Sequence, residues 1–451
     1  MTKSTPSFYK MVLALVLPMA LQNLINVAVT SADVIMLGKV NETVLSASSL
    51  AGQVQFVMTL FFFGITSGAA VLTAQYWGQK DTRTIEKVMV IALRISLVVA
   101  LFFTATVLIF TEPVMRIFTK EVDVIAEGVK YLRIIAFSYI LTAITMVYLN
   151  IMRSVEKVMI STLVYLVSLI VNIILNAIFI FGLLGFPALG IQGAALATLI
   201  ARLVELLIVI VYATKFNHTI HFHIRDVFTK NQLLEKDFYK YSVPVIANEL
   251  MWGAACAMNT VIIGHIGKSV VAANSVAQVT RQLATVVSFG IAGAAAIIIG
   301  KTIGEKDEET AKVYGKKFVH LSLYAGVIGG LIILVIRPIV MSNLALTKEA
   351  QGYLSIMMFV MSYFVVAQSF NTNLVVGVFR AGGDTNFGLI IDVVSMWCGS
   401  LLLGFLSAFV FKWPIAITYI LLMSDELIKI PLTLYRYKSM KWLRNVTRTI
   451  A

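Results

Sequence analysis

Apolar residues run in long stretches from Met11 to Tyr435, separated by short polar connections. About 20 consecutive apolar residues suffice to cross the hydrocarbon of a bilayer. The pattern predicts twelve spans, at residues 11–38, 44–75, 86–111, 124–149, 158–182, 190–212, 241–265, 271–299, 317–341, 352–378, 386–410 and 414–435. Several exceed the bilayer's need, which predicts tilt or helix extending past the hydrocarbon. One longer polar connection, residues 215–240, separates two sets of six. The pattern predicts an N-terminal lobe (1–214, helices 1–6), a cytoplasmic linker (215–240) and a C-terminal lobe (241–451, helices 7–12).

The two sets repeat one another. Val16-Leu17-Pro18 aligns with Ser242-Val243-Pro244. At the same offset Gly38 meets Gly264, and Gly78-Gln79-Lys80-Asp81 meets Gly304-Glu305-Lys306-Asp307; one residue further on, Arg153 meets Arg380. An even number of spans per half makes the repeats parallel, related by an axis along the membrane normal. The expected architecture is therefore an all-α integral membrane protein with 12 transmembrane helices in two pseudo-symmetric six-helix lobes around a central cleft, able to rock in alternating access. Pro18 and Pro244 fall in the first helix of each half, where proline frees a carbonyl and permits a kink, as hinge or as static bend.

Composition fits this picture. The chain is 59% hydrophobic and 13% charged, too little charge to cover a soluble surface of 451 residues. Its net charge of +13 raises the question of nucleic acid. The cations, however, sit in connections between apolar runs. With both termini cytoplasmic, the inner segments hold Lys3, Lys80, Arg83, Lys87, Arg153, Lys157, Arg225, Lys230 and many more, whereas the outer ones hold few, such as Lys39 and Arg116. That bias is a topology signal, and no nucleic-acid partner is expected. The first apolar run is too long for a signal peptide and is expected to stay as helix 1. Cys256 and Cys398 lie in apolar runs without metal or redox spacing. Gly300-Lys301-Thr302 is not the end of a phosphate-binding loop, because Ala295 stands where the first glycine belongs. No catalytic constellation is present, and the chain is not expected to be an enzyme.

Ionisable residues inside spans are costly and mark ion or substrate pathways. Asp33 lies about 8 Å inside the outer end of helix 1. Asn172 and Asn176 share one face of helix 5, and Thr198 on helix 6 falls in the same band of depth. Oxygen ligands suit a hard cation, and a lone carboxylate suits a proton. At the repeat offset Asp33 becomes Asn259, and one residue further on Asn172 and Asn176 become Gly399 and Leu403, so the cluster exists in the N-terminal half alone. The competing reading is that the asparagines are hydrogen-bonding glue between helices and that Asp33 pairs with a neighbouring donor. In the second half, Glu249 with Asn274, Gln278, Arg281 and Gln282 are candidates to line a substrate cleft, Arg281 being a weak partner for Glu249. Arg202 and Glu205, and Asp425, Glu426 and Lys429, are spaced to satisfy each other, and Asp392 is left open.

Taken with Pro18, Asp33 before Gly38, Gly78-Gln79-Lys80-Asp81, Asn172 to Asn176, Gly190-Ile191-Gln192-Gly193-Ala194-Ala195-Leu196-Ala197-Thr198 and Arg380-Ala381-Gly382-Gly383-Asp384-Thr385, the chain resembles the multidrug and toxic compound extrusion (MATE) family over roughly residues 8–436. The resemblance implies a twelve-helix, two-lobed antiporter that expels amphiphilic, often cationic compounds against entering Na⁺ or H⁺. It makes Asp33, Asn172, Asn176 and Thr198 the counterpart of the family's cation site, with no other metal and no cofactor beyond the coupling ion. Asn176 stands where members with a well-defined site carry a second acid. Glu249 is a loose match for an acid of helix 7, and helix 10 offers Gln368, Ser369 and Asn371 in place of one. The expectation is a monomeric exporter in the plasma (inner) membrane with both termini cytoplasmic, whose partners are small amphiphilic molecules and the bilayer. A lipid-linked precursor flippase of the same superfamily is the alternative.

Overall fold

The structure, a computed structural model, describes residues 7–222, 226, 229–343 and 347–448; Lys3 and Arg225 lie outside them. The helices are α1 Phe8–Gly38, α2 Glu42–Gly78, α3 Thr82–Ile109, α4 Thr111–Phe118, α5 Val122–Ile135, α6 Ser138–Ser154 and α7 Val158–Phe181. They continue with α8 Ile191–Phe216, α9 Gln232–Ile266, α10 Lys268–Gly304, α11 Glu308–Asn343, α12 Lys348–Phe379 and α13 Thr385–Val410, and end with α14 Ile415–Leu422 and α15 Asp425–Lys438. No strand occurs among the described residues. Ten of these helices are long and apolar enough to cross a membrane, and α5 with α6, bent by 51°, makes an eleventh span.

Two expected spans are thus broken. The fourth, expected as one helix at 124–149, divides at Ala136–Phe137 without a proline. The Ser138 hydroxyl donates to the Ile135 carbonyl (2.6 Å) and the Thr104 hydroxyl to the Ala136 carbonyl (3.1 Å), so carbonyls at the break are satisfied from side chains. The twelfth, expected at 414–435, divides at Met423–Ser424 into α14 and α15. Asp425 and Glu426 then sit in the first turn of α15, where the helix dipole favours negative charge. Pro18 and Pro244 lie inside α1 and α9, which continue past them without a break. The expected linker is also shorter, because α8 runs on to Phe216 and α9 begins at Gln232.

The chain forms two compact units. One, here the C-terminal unit, holds the chain up to Ala20, Ala74–Lys80 and Val243 onward; the other, the N-terminal unit, holds Leu21–Thr73 and Asp81–Ser242. The N-terminal unit packs around Met58, Phe62, Ala100, Leu132, Tyr139 and Ala195. The C-terminal unit packs around Ile262, Ala277, Leu354, Met361, Leu401 and Tyr419.

The repeated turns adopt one conformation. Lys80, Glu156, Lys306 and Gly383 all have positive φ, at 61°, 64°, 64° and 75°. At two of them an aspartate caps the next helix: Asp81 accepts from the Thr84 amide and Asp307 from the Thr310 amide, each at 3.0 Å. The Thr310 hydroxyl and amide together hold the Asp307 carboxyl below the usual carboxylate range. Gly78 and Gly304, equivalent in the repeat, meet reciprocally: a Cβ on Gly78 would fall on the Lys301 carbonyl and one on Gly304 on the Gln75 carbonyl. Backbone cannot move aside as a side chain can. Gly304→Leu is therefore expected to destabilise by about 3 kcal/mol, at the upper end of overpacking costs, read as a lower thermal midpoint of the detergent-purified protein. An unchanged midpoint would refute the crossing.

Candidate functional site

In the N-terminal unit, α7 and α8 form a hairpin. Gly182 ends α7 in the left-handed region, and the Leu189 amide returns to the Phe179 carbonyl (2.8 Å). Gly193 then lets α8 close on α7: a Cβ there would lie 2.5 Å from the Phe179 carbonyl oxygen. This approach brings Thr198 to Asn172, whose Nδ2 donates to Thr198 Oγ1 at 3.2 Å. Asn176 Nδ2 donates to Asn172 Oδ1 (3.1 Å) and to Asp33 Oδ1 (2.5 Å). All four sequence-selected residues of this half therefore form one hydrogen-bonded chain across α1, α7 and α8. Asn172 and Asn176 are buried, while Asp33 and Thr198 are half-buried. Asn176 Oδ1 is buried without a hydrogen-bond partner, leaving an open acceptor beside the carboxylate.

A cavity of about 330 Å³ adjoins this chain, lined among others by Thr30, Tyr165, Asn172, Thr198, Arg202 and Glu205. Arg202 and Glu205 pair with each other as their spacing predicts (2.7 and 3.0 Å), so the two ionised groups add no net charge to a wall of mixed polar and apolar residues.

The C-terminal unit holds several polar clusters. Glu249 pairs with Arg380 at 2.8 Å, and not with Arg281 as sequence spacing allowed; these residues are 131 positions apart, and only packing reveals the pair. Arg380, which falls between the expected spans 352–378 and 386–410, is buried. Asp384 takes a bidentate pair from Arg436 (2.6 and 2.9 Å). Lys429 lies 2.9 Å from Asp392, 3.5 Å from Asp425 and 3.2 Å from Glu426. Asn248 donates to Asp392 (2.9 Å) and Asn371 to Glu426 (2.9 Å). On α10, Arg281 donates to Gln278 (2.8 Å) and to Gln368 of α12 (3.1 Å), and Asn274 accepts from the Tyr419 hydroxyl (3.1 Å). Gln282 is exposed. Asn248, Gln368, Asn371 and Asp392 thus belong to interhelical clusters that the sequence spacing did not assemble. The available signal was a polar residue at each of several buried helix faces. Among the described residues, no group of three or more His, Cys, Asp or Glu is placed to hold a metal ion.

Membrane-length helices that enclose ion pairs and amide chains define a multi-pass membrane protein. The chain belongs to the MatE family, whose model matches residues 18–178 and 244–406, and is a MATE family transporter. It is 21% identical over 414 residues to the uncharacterized transporter YisQ of Bacillus subtilis, covering 92% of this chain and 90% of that one. It is 25% identical over 418 residues to the probable multidrug resistance protein NorM of Rhizobium meliloti, covering 91% and 88%. Among solved structures it is similar in fold to a MOP superfamily transporter from Pyrococcus furiosus (TM-score 0.86, 19% identity, 96% of each chain). The Vibrio cholerae MATE transporter VcmN in a bent form is similar as well (TM-score 0.85, 17% identity, 95% of this chain and 96% of that one).

Proposed function

We propose that the protein is a secondary active antiporter that exports amphiphilic, often cationic compounds in exchange for entering Na⁺ or H⁺. The observation that carries the reading is the chain Asp33–Asn176–Asn172–Thr198 with its open acceptor, Asn176 Oδ1. One carboxylate among neutral oxygens matches one monovalent cation or one proton. In this reading ionised Asp33 accepts the ion. Its neutralisation weakens the charge-assisted bond from Asn176 and loosens α1 from α7. The exported compound is then released, so that ion and compound compete through conformation. The exporter works as a monomer with both termini cytoplasmic, the orientation that the loop cations favour.

The test is dye movement in proteoliposomes of the wild-type protein, with Na⁺ and H⁺ gradients imposed separately. Transport driven by one gradient is expected, and it names the ion. No gradient-driven movement of any cationic dye would overturn the reading and favour a lipid-linked precursor flippase.

A further inference from the structure

In the C-terminal unit, Arg281 is held by two amide oxygens rather than by a carboxylate. Glu249 is taken by Arg380, Asp384 by Arg436, and Asp392, Asp425 and Glu426 gather around Lys429. Each of these cations has a carboxylate within ion-pair distance. Arg281, inside the membrane-length helix α10, has none within 4.0 Å among the described residues. Its partners are two neutral amide oxygens, Gln278 Oε1 and Gln368 Oε1. A guanidinium has five N–H donors in a rigid fork. Two are used here, and the amides fix the plane of the group without neutralising it.

A cation held at membrane depth ordinarily pairs with an acid or lines a ligand path. Arg281 is half-buried, and the next residue, Gln282, is exposed. An exposed amide inside a span belongs on a wetted or ligand-bearing surface, because in hydrocarbon its donors would go unmet. The arginine is thus pre-oriented, partly accessible and short of a counter-charge. We infer that Arg281 is the recognition residue for an oxyanion on the bound amphiphile, so that the compounds taken include zwitterions bearing a carboxylate or phosphate. The inference rests on the transport reading above for the nature of the ligand. It narrows that reading, since purely cationic compounds would not use Arg281.

Two sources can supply the oxyanion, a transported compound or a lipid headgroup, and the assignment is to the compound. The test is equilibrium binding to the detergent-purified full chain without any ion gradient, using rhodamine 110, which has a free carboxylate, and rhodamine 123, its methyl ester. Loss of one charge-assisted pair predicts that Arg281→Gln weakens rhodamine 110 binding by about tenfold or more and changes rhodamine 123 by less than about twofold. Arg281→Lys keeps the charge but not the fork, and part of the rhodamine 110 affinity should return. The ester serves as the folding control within each variant. Equal losses for both dyes would make Arg281 structural and overturn the inference, as would no change for either. Phosphatidylglycerol retained by the wild type and lost from Arg281→Gln in native mass spectra, with rhodamine 110 affinity unchanged, would assign the anion to a headgroup and also overturn it. Because no gradient is used, discrimination that persists in a protein with no gradient-driven transport would refute the antiport reading and leave Arg281's assignment standing.

Discussion

Asp33→Asn is expected to reduce gradient-driven dye export to background, a loss of at least about 100-fold if the ion contributes a coupling free energy at the upper end of the usual range. The substitution is nearly isosteric. The new side-chain oxygen can still accept from Asn176 Nδ2, now at 2.5 Å from the carboxylate, so the contact between α1 and α7 survives and the protein should reach the membrane in normal amount. What disappears is the charge. Asn172, Asn176 and Thr198 are neutral, so no other member of the chain can bind a proton in its place or balance a cation. The measurement is efflux from proteoliposomes under the gradient that drives the wild type, normalised to protein incorporated. Full gradient-driven export by Asp33→Asn would refute coupling at this site. Loss of export together with loss of protein would instead show that the carboxylate serves folding.

The companion variant is Asn176→Leu, which deletes both bonds donated by Asn176 and its open acceptor. It keeps Asp33 but strips the support that fixes it. Coupled export should fall by about tenfold, the scale of one lost charge-assisted hydrogen bond, with Asp33 still able to bind a proton. A larger effect than that of Asp33→Asn would place the ion on the asparagine rather than the acid.

This site was legible in the sequence because its signals are local. Asn172 and Asn176 are four apart and must share a helix face. Asp33 is a carboxylate within an apolar run, and Thr198 follows a small-residue motif whose Gly193 permits the close helix pair. Most of the helices were legible for the same reason, since an apolar run of membrane length has few other uses. The breaks in the fourth and twelfth spans were not. Hydropathy records side chains, and neither Ala136–Phe137 nor Met423–Ser424 carries a proline to announce that the backbone turns. The polar clusters of the C-terminal unit were hidden for a third reason. Spacing identifies neighbours within one helix, whereas Glu249 with Arg380, Arg281 with Gln368 and Lys429 with Asp392 are pairs between helices. Their residues were visible singly, but which acid meets which base is decided by helix packing.

Lys429→Met tests the most heavily charged of those contacts. The ammonium is buried and has three carboxylates within 3.5 Å, two on its own helix and one on α13. Removing one partner of a buried ion pair costs about 3–5 kcal/mol, because the remaining charge is left without compensation. Here three carboxylates lose the same partner, so the upper part of that range is expected. The thermal midpoint of the purified protein should drop sharply, or the variant should fail to accumulate in the membrane. Methionine fills a similar volume, so the loss reports charge rather than a cavity. If the mechanism is uncompensated charge, Lys429→Met combined with Glu426→Gln should recover part of the loss, a non-additivity expected only of residues that share one network. A Lys429→Met protein as stable as the wild type would mean that the three acids do not depend on the ammonium. A double variant no better than the single one would locate the cost in packing around α15 instead of in its charges.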